Sequence, residues 1–275
     1  MSHALQAAFL GIVQGLTEFL PVSSTAHLLI SEKLIGFDDP NGVFAVMIQL
    51  GSILAVVWLY RDKILEVVTG LPSKAEARAF ALAVIVAVIP ALVAGGLLSN
   101  FVKSVLYSSF RAIAVAFIVG GLVMLMVERL RPKPAVFHMD RVPISRALAI
   151  GIFQTLALIP GVSRSGATIV GGLVMGLDRP AAAEFSFFLA IPTMTAAFAH
   201  ELLDVRHHLG PERAGEIAVG FVMSFIASAA IVKPFVNFVR RSGFAPFAWY
   251  RIVVGIVLLA ALVAGWTLPG SVVAP

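Results

Sequence analysis

The chain has no cysteine and few charged residues. The lack of cysteine excludes disulfides, thiolate metal sites and thiol nucleophiles. Charged residues make up only 13% of the 275 residues, whereas a soluble domain carries about 25%. Hydrophobic residues make up 59% of the chain, so we expect lipid rather than water to be its main solvent.

Basic residues outnumber acidic ones, and the formal net charge is +5. Lys and Arg lie mostly in short segments between apolar stretches, a pattern that sets membrane topology rather than binding a polyanion. We therefore predict no nucleic-acid partner. The first basic residue is Lys33, so we expect no signal peptide.

Several apolar stretches are long enough to cross a bilayer as helices. The six predicted spans are residues 43–60, 80–98, 111–128, 184–200, 214–232 and 250–268. Two other apolar regions, residues 4–35 and 146–176, are interrupted by Pro21 and Pro160 and carry polar residues there. Because proline breaks helices, we predict two re-entrant helical hairpins. The predicted fold class is an all-α polytopic membrane protein with one integral domain, residues 1–275.

The two hairpin regions resemble each other in sequence. The matching segments are Gly11-Ile12-Val13-Gln14 with Gly151-Ile152-Phe153-Gln154, and Pro21-Val22-Ser23-Ser24 with Pro160-Gly161-Val162-Ser163. Each half also has the same element order, one hairpin followed by three spans. We therefore predict a repeat, with copies at about residues 1–135 and 140–275; chance similarity between apolar segments is the alternative.

Three spans per half is an odd number, so the second copy is predicted to be inverted relative to the first. The loops 61–79, 129–146, 176–183 and 233–251 together carry 14 of the 20 Lys and Arg residues. By the positive-inside rule these loops are cytoplasmic, which places both termini outside and inserts the hairpins from opposite faces. The basic residues predicted outside are Lys33, Lys103, Arg111, Arg206 and Arg213.

The first hairpin carries a carboxylate. Gln14 and Glu18 are four residues apart and share a helix face just before Pro21. An ionisable group at membrane depth is a functional-site candidate; a snorkelling or merely hydrogen-bonded Glu is the alternative. The polar residues that follow within two turns are Ser23, Ser24, Thr25 and His27.

His27 is the histidine that has hydroxyl and carboxylate residues close to it in the sequence. An imidazole beside hydroxyls and a carboxylate is typical of a general acid or base, or of a group that orients an attacking water. The other histidines lack such neighbours and are predicted to be loop or interface residues: His3, His138, His200, His207 and His208.

The second hairpin carries a guanidinium, Arg164, among glycines and hydroxyls. Its planar fork of donors matches phosphate, and a helix beginning after the break adds free backbone N–H groups, so we predict an oxyanion site. The flanking residues are Gly161, Ser163, Ser165, Gly166 and Thr168.

A structural interpretation also exists, in which these hydroxyls bond helix carbonyls and the glycines allow close packing. It leaves Arg164 unexplained, because an unpaired cation there costs roughly 2.5–3.5 kcal/mol. Pairing of Arg164 with Glu18 in the empty protein is a third interpretation. Two interrupted segments meeting at mid-membrane are typical of a binding site, and the surroundings suit a substrate with a phosphate head and a lipid tail.

At these residues the sequence closely resembles the undecaprenyl-diphosphate phosphatase family associated with bacitracin resistance. Gln14 and Glu18, continuing through Leu20-Pro21-Val22-Ser23-Ser24-Thr25 to His27, are similar to the first motif of that family, and Pro160 to Thr168 are similar to its PGxSRSxxT motif. Two positions depart from the pattern: Ala26 stands where the family often has Gly, and Gln14 replaces a Glu, which leaves Glu18 as the carboxylate of the motif.

The resemblance implies hydrolysis of undecaprenyl diphosphate to the monophosphate carrier of cell-wall synthesis in the bacterial inner membrane. It implies that Arg164 clamps the diphosphate with Ser163, Ser165 and Thr168, and that Ser23, Thr25 and Gly161 also bind phosphate. Glu18, helped by Gln14, would hold Mg²⁺ or Ca²⁺ through oxygen ligands. His27 would activate either water or Ser24, the candidate nucleophile; both routes stay open, as does a homodimer.

The rival interpretation is a transporter or flippase for a polyprenyl phosphate, because inverted repeats with broken helices are a common transporter plan. Glu18 and Arg164 would then bind the head group without attacking it. The unrelated PAP2-type lipid phosphatases are excluded, since Val170 and Val174 occupy the positions where their motif needs His and Asp.

Overall fold

The computed structural model describes residues 2–105, 109–205, 207 and 213–265. Apolar side chains dominate this part of the chain, and in lipid each backbone N–H must bond within its own segment, so the chain folds into helices. The α-helices are α1 His3–Thr17, α2 Ser24–Ile35, α3 Val43–Leu59, α4 Arg61–Gly70, α5 Ala75–Val105, α6 Phe110–Leu130, α7 Ile144–Thr155, α8 Arg164–Val174, α9 Arg179–Val205, α10 Ala214–Ser242 and α11 Ala245–Val263. The short 3₁₀ helices are Pro40–Gly42, Met139–Arg141 and Leu156–Leu158.

Five of the described helices, α5, α6, α9, α10 and α11, are long and apolar enough to cross a membrane. A sixth span is present if α3 and α4, which bend by 69° where they meet, are counted as one. The prediction of a polytopic all-α protein is confirmed. The loop expected at 61–79 is wrong in part, because its charged start forms α4, a helix that turns away from the axis of α3.

The last span begins earlier than predicted, at Ala245 rather than 250. Arg251 therefore lies inside α11 and is only 1% exposed, so its assignment to a cytoplasmic loop is wrong. The predicted span 250–268 and the predicted loop 233–251 overlap at Arg251, and the charge count assigned it to the loop because the sequence does not show which Arg the fold buries. The predicted end of this span at 266–268 and the basic residue Arg206 lie outside the described residues.

Both interrupted regions form helical hairpins. The first consists of α1 and α2, and the second of α7, the 3₁₀ turn Leu156–Leu158 and α8. Their arms have 15, 12, 12 and 11 residues, which is too short for the ~20 residues of a full span. Each hairpin therefore has the length expected of a re-entrant element.

Each hairpin packs its first arm on a span from the other half of the chain, α1 on α10 and α7 on α5. Glycine makes these contacts possible: a Cβ on Gly11 would overlap the backbone of Gly220, and one on Gly151 would overlap Ala87. Small residues let helix backbones approach closely where lipid supplies no hydrophobic drive. This reciprocal packing is what an inverted repeat requires, and the repeat itself stays a prediction.

Candidate active site

The two hairpins share the same backbone conformation at the break between their arms. Ser23 has φ 72° and Ser163 has φ 71°, and among the described residues they are the non-glycine positions with positive φ. Such a conformation costs an L-residue roughly 1–2 kcal/mol, and it persists where the surroundings enforce it, often at functional sites. The helices that follow, α2 and α8, begin at the very next residue.

Hydrogen bonds tie the two breaks together. Ser165 is fully buried and its Oγ donates to the carbonyl of Leu20 at 2.6 Å, across the two hairpins. The same Oγ lies 3.0 Å from Ser163 Oγ, which in turn accepts from the Gly166 N–H at 3.1 Å. The N-terminal ends of α2 and α8 are therefore held side by side, with their dipoles favouring an anion between them.

Arg251 makes a second and stronger tie. Its Nη1 donates to the carbonyls of Pro21 and Val162 at 3.1 and 2.9 Å. Its Nη2 donates to the carbonyls of Gly161 and Ala116 at 2.9 and 3.1 Å. One planar guanidinium thus bonds the breaks of both hairpins and the span α6, which only Arg can do with a fixed fork of donors.

The sequence-based site lacked Arg251 because nothing near it in the chain suggests chemistry. The signal that was present is its place in the predicted repeat, opposite Arg111 at an offset of 140 residues. Gly120 is a second signal, since a Cβ there would overlap the Arg251 guanidinium. Neither shows what the guanidinium binds, which depends on contacts distant in sequence.

Glu18 lies at the centre of the site and is 7% exposed. Its Oε1 accepts from Arg164 Nη2 at 3.2 Å, so the predicted pairing of these two charges in the empty protein is confirmed. Its Oε2 accepts from Gln14 Nε2 at 2.8 Å and from Ser24 Oγ at 2.6 Å. The carboxylate is thus neutralised by one residue and hydrogen-bonded by two others, which offsets the cost of burying it.

The Arg164 guanidinium contacts three residues besides Glu18. Its Nη1 donates to the carbonyl of Ser186 at 3.0 Å, and its Nη2 lies 3.2 Å from the sulfur of Met194. The guanidinium carbon is 5.7 Å from the ring centroid of Phe19. Within the described part of the chain Arg164 Nε is buried without a hydrogen-bond partner, so its donors are not all used.

The hydrogen bonds of the His27 ring go to Ser23 and Tyr250, and its predicted activation of water or Ser24 stays a prediction. Its Nδ1 is 2.8 Å from the Ser23 carbonyl, and since a carbonyl only accepts, Nδ1 carries the proton. Its Nε2 is 2.7 Å from Tyr250 Oη, with the two rings stacked at 5.7 Å. Both nitrogens of the neutral imidazole therefore form hydrogen bonds. The bond to the Ser23 carbonyl stabilises the positive-φ conformation at the break of the first hairpin. Tyr250 is a second residue that sequence reasoning missed.

A cavity of about 480 Å³ opens on the Glu18–Arg164 pair. The predicted site residues that line it are Glu18, Ser23, Ser24, Thr25, Gly161, Ser163 and Arg164. Ser165 and Thr168 are buried behind this wall, where Thr168 Oγ1 lies 2.7 Å from Ser186 Oγ. Their predicted direct role in phosphate binding stays a prediction, and the geometry places them as supports of α8.

His200 also lines the cavity, from α9. The prediction of a loop residue is therefore wrong, because His200 lies within α9, and the alternative prediction of an interface residue stays a prediction. His208 lies outside the described residues.

The residues present do not form a metal site by themselves. Within the described residues no group of three or more acidic or histidine side chains is placed to hold an ion. Glu18 is the carboxylate beside Arg164, and its oxygens accept hydrogen bonds from Arg164, Gln14 and Ser24; a second carboxylate, Glu201, lines the cavity from α9. A divalent ion needs about six oxygen ligands, so most of them would have to come from a bound phosphate group.

The fold and the site define a class: an all-α, multi-pass type of membrane protein with two broken helical hairpins, whose charged pair Glu18 and Arg164 lines one cavity. Residues 7–257 match the family described as bacitracin resistance protein BacA. The chain belongs to that family.

Individual relatives agree over nearly the full length. The chain is 50% identical over 258 residues to undecaprenyl-diphosphatase 1 of Agrobacterium fabrum, covering 94% of this chain and 96% of that protein. It is 46% identical over 267 residues to the undecaprenyl-diphosphatase of Paracoccus denitrificans, covering 97% and 100%. It is 48% identical over 265 residues to that of Cereibacter sphaeroides, covering 96% and 99%.

Proposed function

We propose that the protein is an undecaprenyl-diphosphatase, which removes the terminal phosphate of the lipid diphosphate and releases the monophosphate carrier. The observation that carries the proposal is the contact of Ser24 Oγ with Glu18 Oε2 at 2.6 Å, next to Arg164 at 3.2 Å from the same carboxylate. A nucleophile, a base and a phosphate clamp thus meet at one wall of one cavity.

In the first step Ser24 Oγ attacks the terminal phosphorus. The new bond joins the serine oxygen to phosphorus, and the bond from phosphorus to the bridging oxygen breaks, so that polyprenyl monophosphate leaves. The serine proton goes to Glu18, which already accepts the hydrogen bond from that hydroxyl. This activation by an adjacent base is the general requirement for a serine nucleophile.

Arg164 changes partner when substrate binds. In the empty protein it pairs with Glu18, which keeps two buried charges neutral. A diphosphate brings more negative charge than one carboxylate and offers oxygens for a bidentate contact, so it draws the guanidinium away. Glu18 then keeps its hydrogen bonds from Ser24 and Gln14.

In the second step water attacks the phosphoserine. Glu18 passes its proton to Ser24 as the serine oxygen–phosphorus bond breaks, and inorganic phosphate leaves with the water oxygen. The N-terminal ends of α2 and α8 face the developing charge, and positioned donors of this kind are usually the main source of rate enhancement. Direct attack by a water that Glu18 or His27 orients is the alternative route.

A divalent cation, Mg²⁺ or Ca²⁺, is part of the proposal as a companion of the diphosphate. Mg²⁺ commonly binds one or two carboxylates together with substrate phosphates, which suits a site whose carboxylate is Glu18. When bound, the cation would neutralise phosphate charge. Gln14 would orient the carboxylate rather than bind the ion, because its amide nitrogen faces Glu18.

The proposal places the chain in the inner membrane with both termini outside, where it recycles the carrier lipid of peptidoglycan synthesis and confers bacitracin resistance. Both hairpins of the site come from one chain, so a homodimer is not needed for catalysis and stays a separate prediction.

The test is phosphate release from farnesyl (C15) and undecaprenyl (C55) diphosphate by the purified protein, with and without EDTA. Glu18→Gln, Ser24→Ala and Arg164→Lys should each lower kcat/KM by at least about a hundredfold, because each removes one element of transition-state stabilisation. Glu76→Gln, an exposed carboxylate in the first turn of α5, is the matched control.

Trapping with a ³²P-labelled diphosphate separates the two routes, since only the serine route leaves acid-stable phosphoserine at Ser24. A wild-type protein that binds the lipid but releases no phosphate with any divalent ion would overturn the proposal in favour of a flippase. Activity that survives Ser24→Ala and falls with Glu18→Gln would assign the attack to water.

A further inference from the structure

One part of the cavity takes no role in the phosphate chemistry. From Arg164 the cavity continues between α5 and α9, beside the turn that precedes α8. Its walls there are mostly small or apolar. The lining residues of this part, here called the slot, include Leu92, Gly95, Gly96, Leu158, Ala196 and Ala197.

Two glycines open the slot. Gly95 and Gly96 follow Ala91 and Leu92 by one turn and so share their helix face. A Cβ on Gly96 would meet no atom within 4 Å, and one on Gly95 would meet only Leu158 Cδ2 at 3.9 Å. Helix packing therefore does not need glycine here.

Two other helical glycines, Gly51 and Gly15, lie where a Cβ would overlap a neighbouring helix. A Cβ on Gly51 would come within 2.5 Å of the Phe221 carbonyl oxygen, and one on Gly15 would come within 2.7 Å of the Ala227 Cβ. Those glycines are explained by backbone contact between helices. At Gly95 and Gly96 the missing side chain leaves open space that is continuous with the catalytic wall.

We propose that the slot seats the first isoprene units of the lipid diphosphate. The inference rests on the proposed function, because it needs a prenyl chain attached to the group that Arg164 and Ser24 bind. That chain must leave the site by an apolar path, and the slot is the part of the cavity whose walls are mostly apolar, although His200 and Glu201 follow one turn beyond Ala196 and Ala197 in the same lining. The whole cavity, at about 480 Å³, is in the ~300–1,000 Å³ range of small-molecule sites, so the rest of a C55 chain stays in the bilayer.

The slot acts by shape rather than by hydrophobic attraction. A prenyl chain gains little free energy on moving from lipid into an apolar slot, because the lipid is equally apolar. The benefit is orientation: a chain held in the slot aims the terminal phosphorus at Ser24. Side chains at positions 95 and 96 should therefore reduce activity according to their size.

The experiment measures kcat and KM for phosphate release from C15 and C55 diphosphates by Gly95→Ala, Gly95→Leu, Gly96→Ala and Gly96→Leu. Gly215→Ala and Gly215→Leu are matched controls, because Gly215 is an exposed helical glycine whose Cβ would also meet no atom within 4 Å. We expect the Leu variants at 95 and 96 to lose about tenfold or more in kcat/KM, the size of effect that a few methylenes produce in a shaped pocket. The Ala variants should fall between the Leu variants and wild type, and both Gly215 controls should stay within about threefold of wild type.

A second measurement uses the absence of cysteine from the chain. Gly96→Cys introduces a unique thiol, and C15 diphosphate should slow its modification by a methanethiosulfonate at least about fivefold if the chain occupies the slot. Gly215→Cys should show no protection. This readout does not depend on turnover.

The outcomes are distinguishable. Active wild type, with both Leu variants within twofold of it or with no protection at Gly96→Cys, overturns the slot. Wild type that releases no phosphate overturns the proposed function instead. Thermal unfolding in the same detergent identifies any variant that fails to fold, and protection at Gly96→Cys then decides alone.

Discussion

Arg251 offers the sharpest test of how the two hairpins form one site. It makes four hydrogen bonds to carbonyls, at 2.9 to 3.1 Å. Bonds from a charged donor contribute about 1.5–3 kcal/mol each, and relief of the several kcal/mol spent on burying the charge offsets much of their sum. For Arg251→Met we therefore expect a net loss of about 2–4 kcal/mol in the free energy of unfolding.

Arg251→Lys separates charge from shape. Lys keeps the positive charge, but its ammonium is a single point and cannot bond the breaks of both hairpins and α6 at once. A shift of about 1 Å between Ser24 and Arg164 can cost a hundredfold in rate, so we expect kcat/KM to fall at least about a hundredfold in Arg251→Lys.

The assay is phosphate release together with thermal unfolding in detergent. The exposed Arg241, near the end of α10, provides the matched control Arg241→Lys, which should behave as wild type. The reasoning is refuted if Arg251→Lys keeps kcat/KM within threefold of wild type, because charge alone would then be sufficient.

Three further predictions concern contacts outside the catalytic pair. Tyr250→Phe keeps the ring stacked on His27 and removes its hydrogen bond of 2.7 Å, so kcat/KM should fall about two- to tenfold and ¹⁵N NMR should show a changed imidazole tautomer balance. Gly15→Ala places a Cβ against the backbone of α10 and should lower stability by about 1–3 kcal/mol in thermal unfolding. Burial by itself would raise the pKa of Asp140, but the hydrogen bond and charge of Lys63 outweigh it and lower that pKa from its ordinary value. Asp140→Asn should therefore destabilise the protein modestly at pH 7. Wild type should lose the same contribution as the pH falls below the ordinary pKa of an Asp.

Each of these has its own control. A Tyr250→Phe protein with unchanged rate and tautomer would remove Tyr250 from the site. Gly96→Ala, where a Cβ meets open space, should not lower stability because Ala favours a helix more than Gly does, and an equal loss there would contradict overlap as the cause at Gly15. An Asp140→Asn effect as large at pH 3 as at pH 7 would contradict the ion-pair explanation.

The candidate site was predictable where its chemistry is local. Glu18 and Arg164 are charges inside apolar regions, and each sits at a break marked by proline and hydroxyls, so the sequence alone singles them out. The meeting of their hairpins was predicted from the similarity of the two regions, and the Glu18–Arg164 contact joins them. The relation between His27 and Ser24 was not predictable, because the direction of the imidazole depends on Tyr250, 223 positions away.

The sequence was enough to predict an all-α membrane protein with several apolar spans and two broken hairpins. It was enough because lipid confines the backbone to helices, and helix length and interruption are local properties of a sequence. The burial of Arg251 at the junction of both breaks depends on the packed fold, since its partners Pro21 and Gly161 are 230 and 90 residues away. A cation in an apolar span is stable only when partners distant in sequence come within hydrogen-bonding distance, and that is a property of the packed helices.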